Sequence, residues 1–482
     1  MMYITLNRGG TKMENTKEKK VSVAMAAVAM IALALVLIGG FIVLQISTHV
    51  VFLLAILAMG IIALISGFTK EDLQDFFIEG CKNAVLVALI LMTVGTVIGS
   101  WIVSGIVPTI IYYGLEILSP KVFLVVGFFI CCIISFFVGS SYSAIATLGV
   151  AFMGIGLGLH INPGLTAGMV VSGAIFGDKM SPFSDTTNLA PAVAGTDIFK
   201  HINSMLYTTV PATVIAAIIY TVIGIQIGGA AMDTSAIDAI NDTLRMHFNI
   251  NPLLLIVPLL TIVLAIKKMP PLIALLLGAV AGTVAAFIFQ MGHYDYQVIL
   301  NALGNGFSLE SGNTDVDRLL NRGGIMGMMS TSSLALLALG LGEILQRMGV
   351  LSVILSKMEI FIRSPRSLVL TTLATCLVTT VLTASQYIAI LLPGQVMKEA
   401  YTKQGVEKRV LSRTLEDGGT IFTFLIPWST TGIFVSGVLG VEVLQYAPYA
   451  FLAILCPLIA IFYACTGIAI FKEKTAVKEK AV

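Results

Sequence analysis

The chain has 482 residues, of which 57% are hydrophobic and only 11% charged, with a mean hydropathy of +0.97 and a net charge of +2. Soluble domains carry about a quarter charged residues, so this composition excludes a soluble enzyme or binding module and identifies an integral membrane protein. The near-neutral balance gives no footing for nucleic-acid binding.

Residues 1–20 read as a cytoplasmic tail, because Arg8, Lys12, Lys17, Lys19 and Lys20 precede the first apolar run on the side that basic residues mark as inside. That run, Val21–Leu44, is followed at once by Val50–Phe68 with no small-residue cleavage site between them, so it is a permanent helix rather than a signal peptide. Lys70–Lys82 mixes Glu71, Asp72, Asp75 and Glu79 with Leu73, Phe76, Phe77 and Ile78, the pattern of an interfacial helix. Val122–Val138 and Met205–Ile227 continue a first half, 21–228; like the other apolar runs they reach or approach the roughly 20 residues that cross a bilayer. A polar insert, 229–251, with Asp233, Asp238, Asp242 and Arg245, divides the chain. The second half, 252–471, holds Pro252–Ile266, Pro271–Phe289 and Ala447–Phe471 and gives way to a basic tail, 472–482. Both termini are thus expected in the cytoplasm, with an even span count of about 10–12. The six cysteines have no ligand spacing and read as packing residues; His49, His201 and His293 read as interfacial groups at the ends of spans.

The two halves echo each other. Pro182 and Pro427 are 245 positions apart, and the same offset, without a gap, carries Gly173 onto Gly418, Phe183 onto Trp428, Ser184 onto Ser429, Thr186 onto Thr431 and Gly195 onto Gly440. Ser140 and Tyr142 fall on Ser385 and Tyr387. Repeats with an odd number of spans enter the membrane in opposite senses, so the expected fold is all-α, two inverted repeats with discontinuous helices and re-entrant hairpins.

The stretch from Ser172 to Thr196, SGAIFGDKMSPFSDTTNLAPAVAGT, is costly in such a setting: it holds two carboxylates and two prolines. It should line a cavity. Asp178, Ser181, Ser184, Asp185, Thr186, Thr187 and Asn188 gather hard oxygen ligands suited to an alkali cation, Na+ being the simplest, with Asp178 and Asp185 as its anionic groups. Any one hydroxyl reads equally well as a helix cap. Lys179 is either a counter-charge for Asp178 or a snorkelling group. In the second half, Ser385, Gln386, Thr430 and Thr431 occupy the matching breaks, and Glu416 with Asp417 forms a second acidic pair able to take up a proton beside Asp178 and Asp185; Arg413, three positions before Glu416, offers a plain ion pair instead. Glu343 is a lone acid in an apolar run, more often satisfied by packing than a relay, and Trp428 and Tyr387 read as walls.

Gly177-Asp-Lys-Met-Ser-Pro-Phe-Ser-Asp-Thr-Thr-Asn188, Thr414-Leu-Glu-Asp417 followed by Ile426-Pro-Trp428, and Gly99-Ser-Trp-Ile102 with Gly105 and Pro108 resemble the NhaC-type sodium/proton antiporter family over nearly the whole chain. The resemblance implies a bacterial inner-membrane antiporter, not an enzyme, with Na+ and H+ as cargo and no cofactor. Because that family also includes malate/lactate exchangers, sodium- or proton-coupled movement of a small organic acid or amino acid is the alternative. The chain departs from the family in having Ser385 for a usual Asp, Tyr142 for Trp and Gly419 for Ser. Losing that carboxylate removes one potential ion ligand and strengthens the alternative. A homodimer is one assembly the reading allows.

Overall fold

The computed structural model describes residues 21–44, 46–228 and 234–473, so the expected tail 1–20, residues 229–233 of the polar insert and residues 474–482 of the basic tail lie outside the described residues. Helices α1 (Val23–Ile38) and α2 (Thr48–Ile65) form a hairpin, and α3 (Lys70–Val103) runs for 34 residues behind a capping box made by Thr69 and Asp72. Lys70–Lys82 is therefore not a separate interfacial helix. No proline interrupts it, and its small face, Gly80, Ala84 and Ala88, continues into the buried stripe of the span. Its polar character is absorbed at the surface, where Lys82 pairs with Glu79 at 2.8 Å.

After α4 (Ile106–Ile117) come α5 (Pro120–Val138), α6 (Ser141–Gly158), α7 (Pro163–Met180), α8 (Asp185–Ala194) and α9 (Ile198–Ile227). The polar insert yields α10 (Thr234–His247), an amphipathic helix that buries Ile240 and Leu244 as it packs on α4. Then follow α11 (Ile256–Ile266), α12 (Pro271–Phe289), α13 (Tyr296–Asn305), α14 (Thr314–Leu320), α15 (Met329–Arg347), α16 (Val350–Met358), α17 (Pro365–Thr383), α18 (Gln386–Lys403), α19 (Lys408–Leu425), α20 (Thr430–Leu439) and α21 (Phe451–Thr466). Gly80 lies against Leu339 and Gly340 while Gly95 lies against Met328, so α3 and α15 run antiparallel in close contact.

Helix boundaries recur at 245 residues. Both ends of α5, α6, α7 and α8 fall 245 positions before the ends of α17, α18, α19 and α20. The left-handed residues that end helices recur as well, Gly139 (φ +71°) with Ala384 (φ +56°) and Gly195 (φ +79°) with Gly440 (φ +69°). Pro182 sits between α7 and α8, and Pro427 sits between α19 and α20, which bend by 45°. Among the described residues eight helices are long and apolar enough to cross a bilayer, or eleven if each of three bent pairs counts as one, and the only β pairing is a bridge between Val406 and Lys472. The protein is an all-helical, multi-pass membrane protein.

Candidate ion-binding site

The end of α7 organises the site. Pro182 disfavours helical backbone at Ser181, which is extended, so the helix stops one turn after Gly177 and leaves Asp178 and Lys179 in its last turn. Consecutive helical residues diverge by about 100°, so these two side chains serve different neighbours.

Asp178 is 6% exposed, and each of its carboxylate oxygens accepts a hydroxyl at 2.6 Å, Oδ2 from Ser141 and Oδ1 from Ser184. Thr186 Oγ1 is 3.2 Å from Ser184 Oγ. The other polar groups of the motif brace the break. Thr187 Oγ1 donates to the carbonyls of Asp178 (2.9 Å) and Lys179 (3.1 Å), satisfying the end of α7; Asn188 Nδ2 donates to the carbonyls of Pro182 (2.9 Å) and Ser184 (2.7 Å); Ser181 Oγ accepts the amide of Phe183. Asp185 is exposed at the first residue of α8.

The second pair of breaks meets the first. Ser385 caps α18, and the Thr430 amide donates to the Ala384 carbonyl at 2.8 Å. Thr431 Oγ1 lies 3.0 Å from the Tyr142 hydroxyl and 3.4 Å from Gln386 Oε1, which it reaches as donor. Trp428 Nε1 donates to the Val381 carbonyl, consistent with a wall residue. A cleft of about 690 Å³ opens beside Pro427 and Trp428.

Lys179 neither snorkels nor pairs with Asp178. It is completely buried and bonds Asp417 on α19, which also accepts Thr208 Oγ1 of α9 at 3.1 Å. The reason is geometric: Ser141 and Ser184 already occupy Asp178, and the adjacent side chain leaves the helix on another side. The Arg413–Glu416 pair does not form either. Arg413 reaches the Ala469 carbonyl at 3.1 Å, while α19 widens into a π turn at Glu416–Thr420. Among the described residues Glu416 is wholly buried with neither carboxylate oxygen hydrogen-bonded; Thr186 and Thr420 lie beside it without good bonding geometry. His201, in the first turn of α9, is fully buried, 2.9 Å from Ser412 Oγ. Glu343 is satisfied locally by Arg347 at 2.7 Å.

Ser141, Thr208 and the Tyr142–Thr431 link escaped the sequence reading. Ser141 stood between Ser140 and Tyr142, which the 245-residue offset carries onto Ser385 and Tyr387, and could have been found there; Thr208 on a long apolar helix carried no signal. Among the described residues no three His, Cys, Asp or Glu side chains gather as a metal-binding group. One carboxylate ringed by hydroxyls is instead a hard, single-charge site that suits a monovalent cation.

The model of the Na+/H+ antiporter family matches residues 11–187 and 173–468. The chain is 39% identical to the Na(+)/H(+) antiporter NhaC of Alkalihalophilus pseudofirmus, covering 96% of this chain and all of that protein. It is 38% identical to the malate-2H(+)/Na(+)-lactate antiporter of Bacillus subtilis, over 86% of this chain and 88% of the relative, and 33% identical to the arginine/ornithine antiporter ArcD of Halobacterium salinarum, over 93% of each. A buried, hydroxyl-ringed carboxylate at a broken helix, in a chain matched along nearly its full length, makes this protein a member of the Na+/H+ antiporter family.

Proposed function

We propose that this protein is a secondary active transporter that exchanges cytoplasmic Na+ for external H+ by alternating access. The observation that carries the reading is Asp178, a buried carboxylate held by Ser141 and Ser184 where α7 breaks. A sodium ion there would draw on Asp178, the hydroxyls of Ser184 and Thr186, and the exposed Asp185 at the mouth. The N-terminal end of α8 and the C-terminal end of α7 add opposed helix dipoles to the same gap. Glu416 and Asp417 complete the acidic set that couples the cation to protons, with Lys179 balancing their charge.

The recurrence of four helices and their caps at 245 residues supports two inverted repeats, with α5–α6 and α17–α18 as paired hairpins whose turns approach the breaks. In this arrangement residues 21–228 and 252–471 are the two halves, both termini face the cytoplasm, and the protein resides in a bacterial inner membrane. A second reading, coupled movement of a small organic acid or amino acid, draws support from the names of two relatives and from Ser385, which supplies a neutral cap where the family usually has a carboxylate.

Purified protein in liposomes decides between them. An imposed sodium gradient should move protons with no organic solute present. A strict requirement for added malate, lactate or amino acid would defeat plain exchange and establish the second reading.

A further inference from the structure

A cleft of about 550 Å³ lies where the last turn of α20 meets the chain between α13 and α15. Asn305, Ser308, Arg318, Asn321, Arg322 and Met328 line it, and among the described residues no Asp or Glu does. Arg318, on α14, is exposed, and among the described residues it has no ion-pair partner. Its neighbour Asp317 spends Oδ1 on the amide and hydroxyl of Ser311. Arg322 is partly buried and gives Nη2 to the Val438 carbonyl at 2.9 Å, capping α20 and leaving Nε and Nη1 as donors. Burial pulls its pKa below the ordinary arginine value, with no carboxylate to offset the pull. The cleft beside Gly195, which the 245-residue offset carries onto Gly440, is balanced instead: Asp197 and Glu407 line it with Lys200 and Arg409, and Arg409 pairs with Glu407 at 2.7 Å. A partly buried guanidinium without a counter-charge is costly, and a bound anion would remove that cost.

The backbone holds Arg322 in place. Its carbonyl accepts the Phe307 amide at 3.2 Å, while Asn321 accepts the Leu309 amide at 2.6 Å and donates to the Leu309 carbonyl at 2.9 Å. Gly323 (φ +92°) and Gly324 (φ +74°) follow, and a Cβ on Gly324 would collide with the Gly306 amide. The cleft also sits at the ends of spans. Helix α15, long and apolar enough to cross a bilayer, begins at Met329, next to Met328 in the lining, and Gly99 in the last turns of α3 touches Gly324. Ile325, Met326 and Met329 alongside expose apolar side chains. A cationic cleft with an apolar flank at this level meets lipid phosphates on one side and acyl chains on the other.

We propose that this cleft binds the headgroup phosphate of an anionic phospholipid between Arg318 and Arg322. Two planar guanidinium groups offer the paired N–H donors that match phosphate oxygens, and Ser308 and Asn305 add neutral donors. The phosphate would neutralise Arg322 where it caps α20, the helix whose first turn carries Thr430 and Thr431 at the second break.

The test titrates the purified protein in dodecyl maltoside with dioctanoyl phosphatidylglycerol, dioctanoyl phosphatidylcholine, inorganic phosphate or malate, and follows thermal unfolding. Wild type should gain a saturable rise in melting temperature from phosphatidylglycerol and none from phosphatidylcholine. Arg318→Gln should raise the half-saturating concentration about tenfold or more, the scale of one lost hydrogen bond to a charged group. Adding Arg322→Gln should abolish saturation. Arg318 caps no helix, so its variant should fold even where loss of the Arg322 cap weakens the protein. Lys403→Gln, which removes an exposed cation elsewhere, should respond as wild type does. An undiminished response in Arg318→Gln, an equal loss in Lys403→Gln, or an equal response to phosphatidylcholine would overturn the proposal. A saturable response to inorganic phosphate or malate with none to phosphatidylglycerol would make the anion a soluble one and overturn the lipid assignment, as would no response of wild type to any of the four.

Discussion

Lys179 and Asp417 are the sharpest place to perturb the structure. Their side chains are 1% and 0% exposed, and they join α7 to α19 across the two halves of the chain. Removing one member of a buried pair strands the other charge, at a cost of about 3–5 kcal/mol. Lys179→Met keeps the length of the side chain and leaves Asp417 with the Thr208 hydroxyl and the more distant Arg413, so its cost should fall at the lower end of that range. Asp417→Asn keeps an acceptor for Thr208 but strands a buried ammonium, and should cost more. Combining the two removes both charges, so the double variant should lie within about 2 kcal/mol of wild type rather than at the sum of the singles. The assay is unfolding of the purified proteins in one detergent, by heat and by denaturant, read as a double-mutant cycle. A double variant as unstable as the sum of the two singles would refute the pair as an energetic unit.

Asp178→Asn should insert and fold, yet lose sodium-dependent flux across the pH range, while Ser141→Ala or Ser184→Ala should weaken apparent sodium affinity by about tenfold or less, since one hydroxyl bond to a charged group is worth about 1.5–3 kcal/mol and water can replace part of it; flux against sodium concentration in liposomes distinguishes them, and an unaltered Asp178→Asn would move the site elsewhere. Gly139→Ala should lower the melting temperature, because its φ of +71° disfavours a side chain by about 1–2 kcal/mol and the new methyl would meet Phe183 Cβ at 2.8 Å; an unchanged melting curve would show that the turn yields. Glu343→Gln should leave transport at the wild-type rate and cost no more than about 1 kcal/mol, since its partner Arg347 is 54% exposed; an inactive variant would make Glu343 part of the ion path.

Composition and local pattern carried the class of the protein, since only a membrane accommodates this many apolar residues with so few charges. Prolines 182 and 427, being unable to continue a hydrogen-bonded helix in their local setting, marked both breaks, and the 245-residue spacing read from single residues returned as matched helix boundaries. Local sequence likewise put Asp178 beside the hydroxyls of its own motif. It misjudged Lys70–Lys82, where burial against α15 carries a polar stretch straight into a span.

Which charges meet was a matter of tertiary structure alone. Lys179 is separated from Asp417 by 238 positions, Tyr142 from Thr431 by 289 and His201 from Ser412 by 211. Spacing along the chain offered only near neighbours as ionic partners, Asp178 for Lys179 and Glu416 for Arg413. The fold chose otherwise, because adjacent side chains leave a helix in different directions, and a buried charge pairs with whatever opposite group the packed helices bring to its own side.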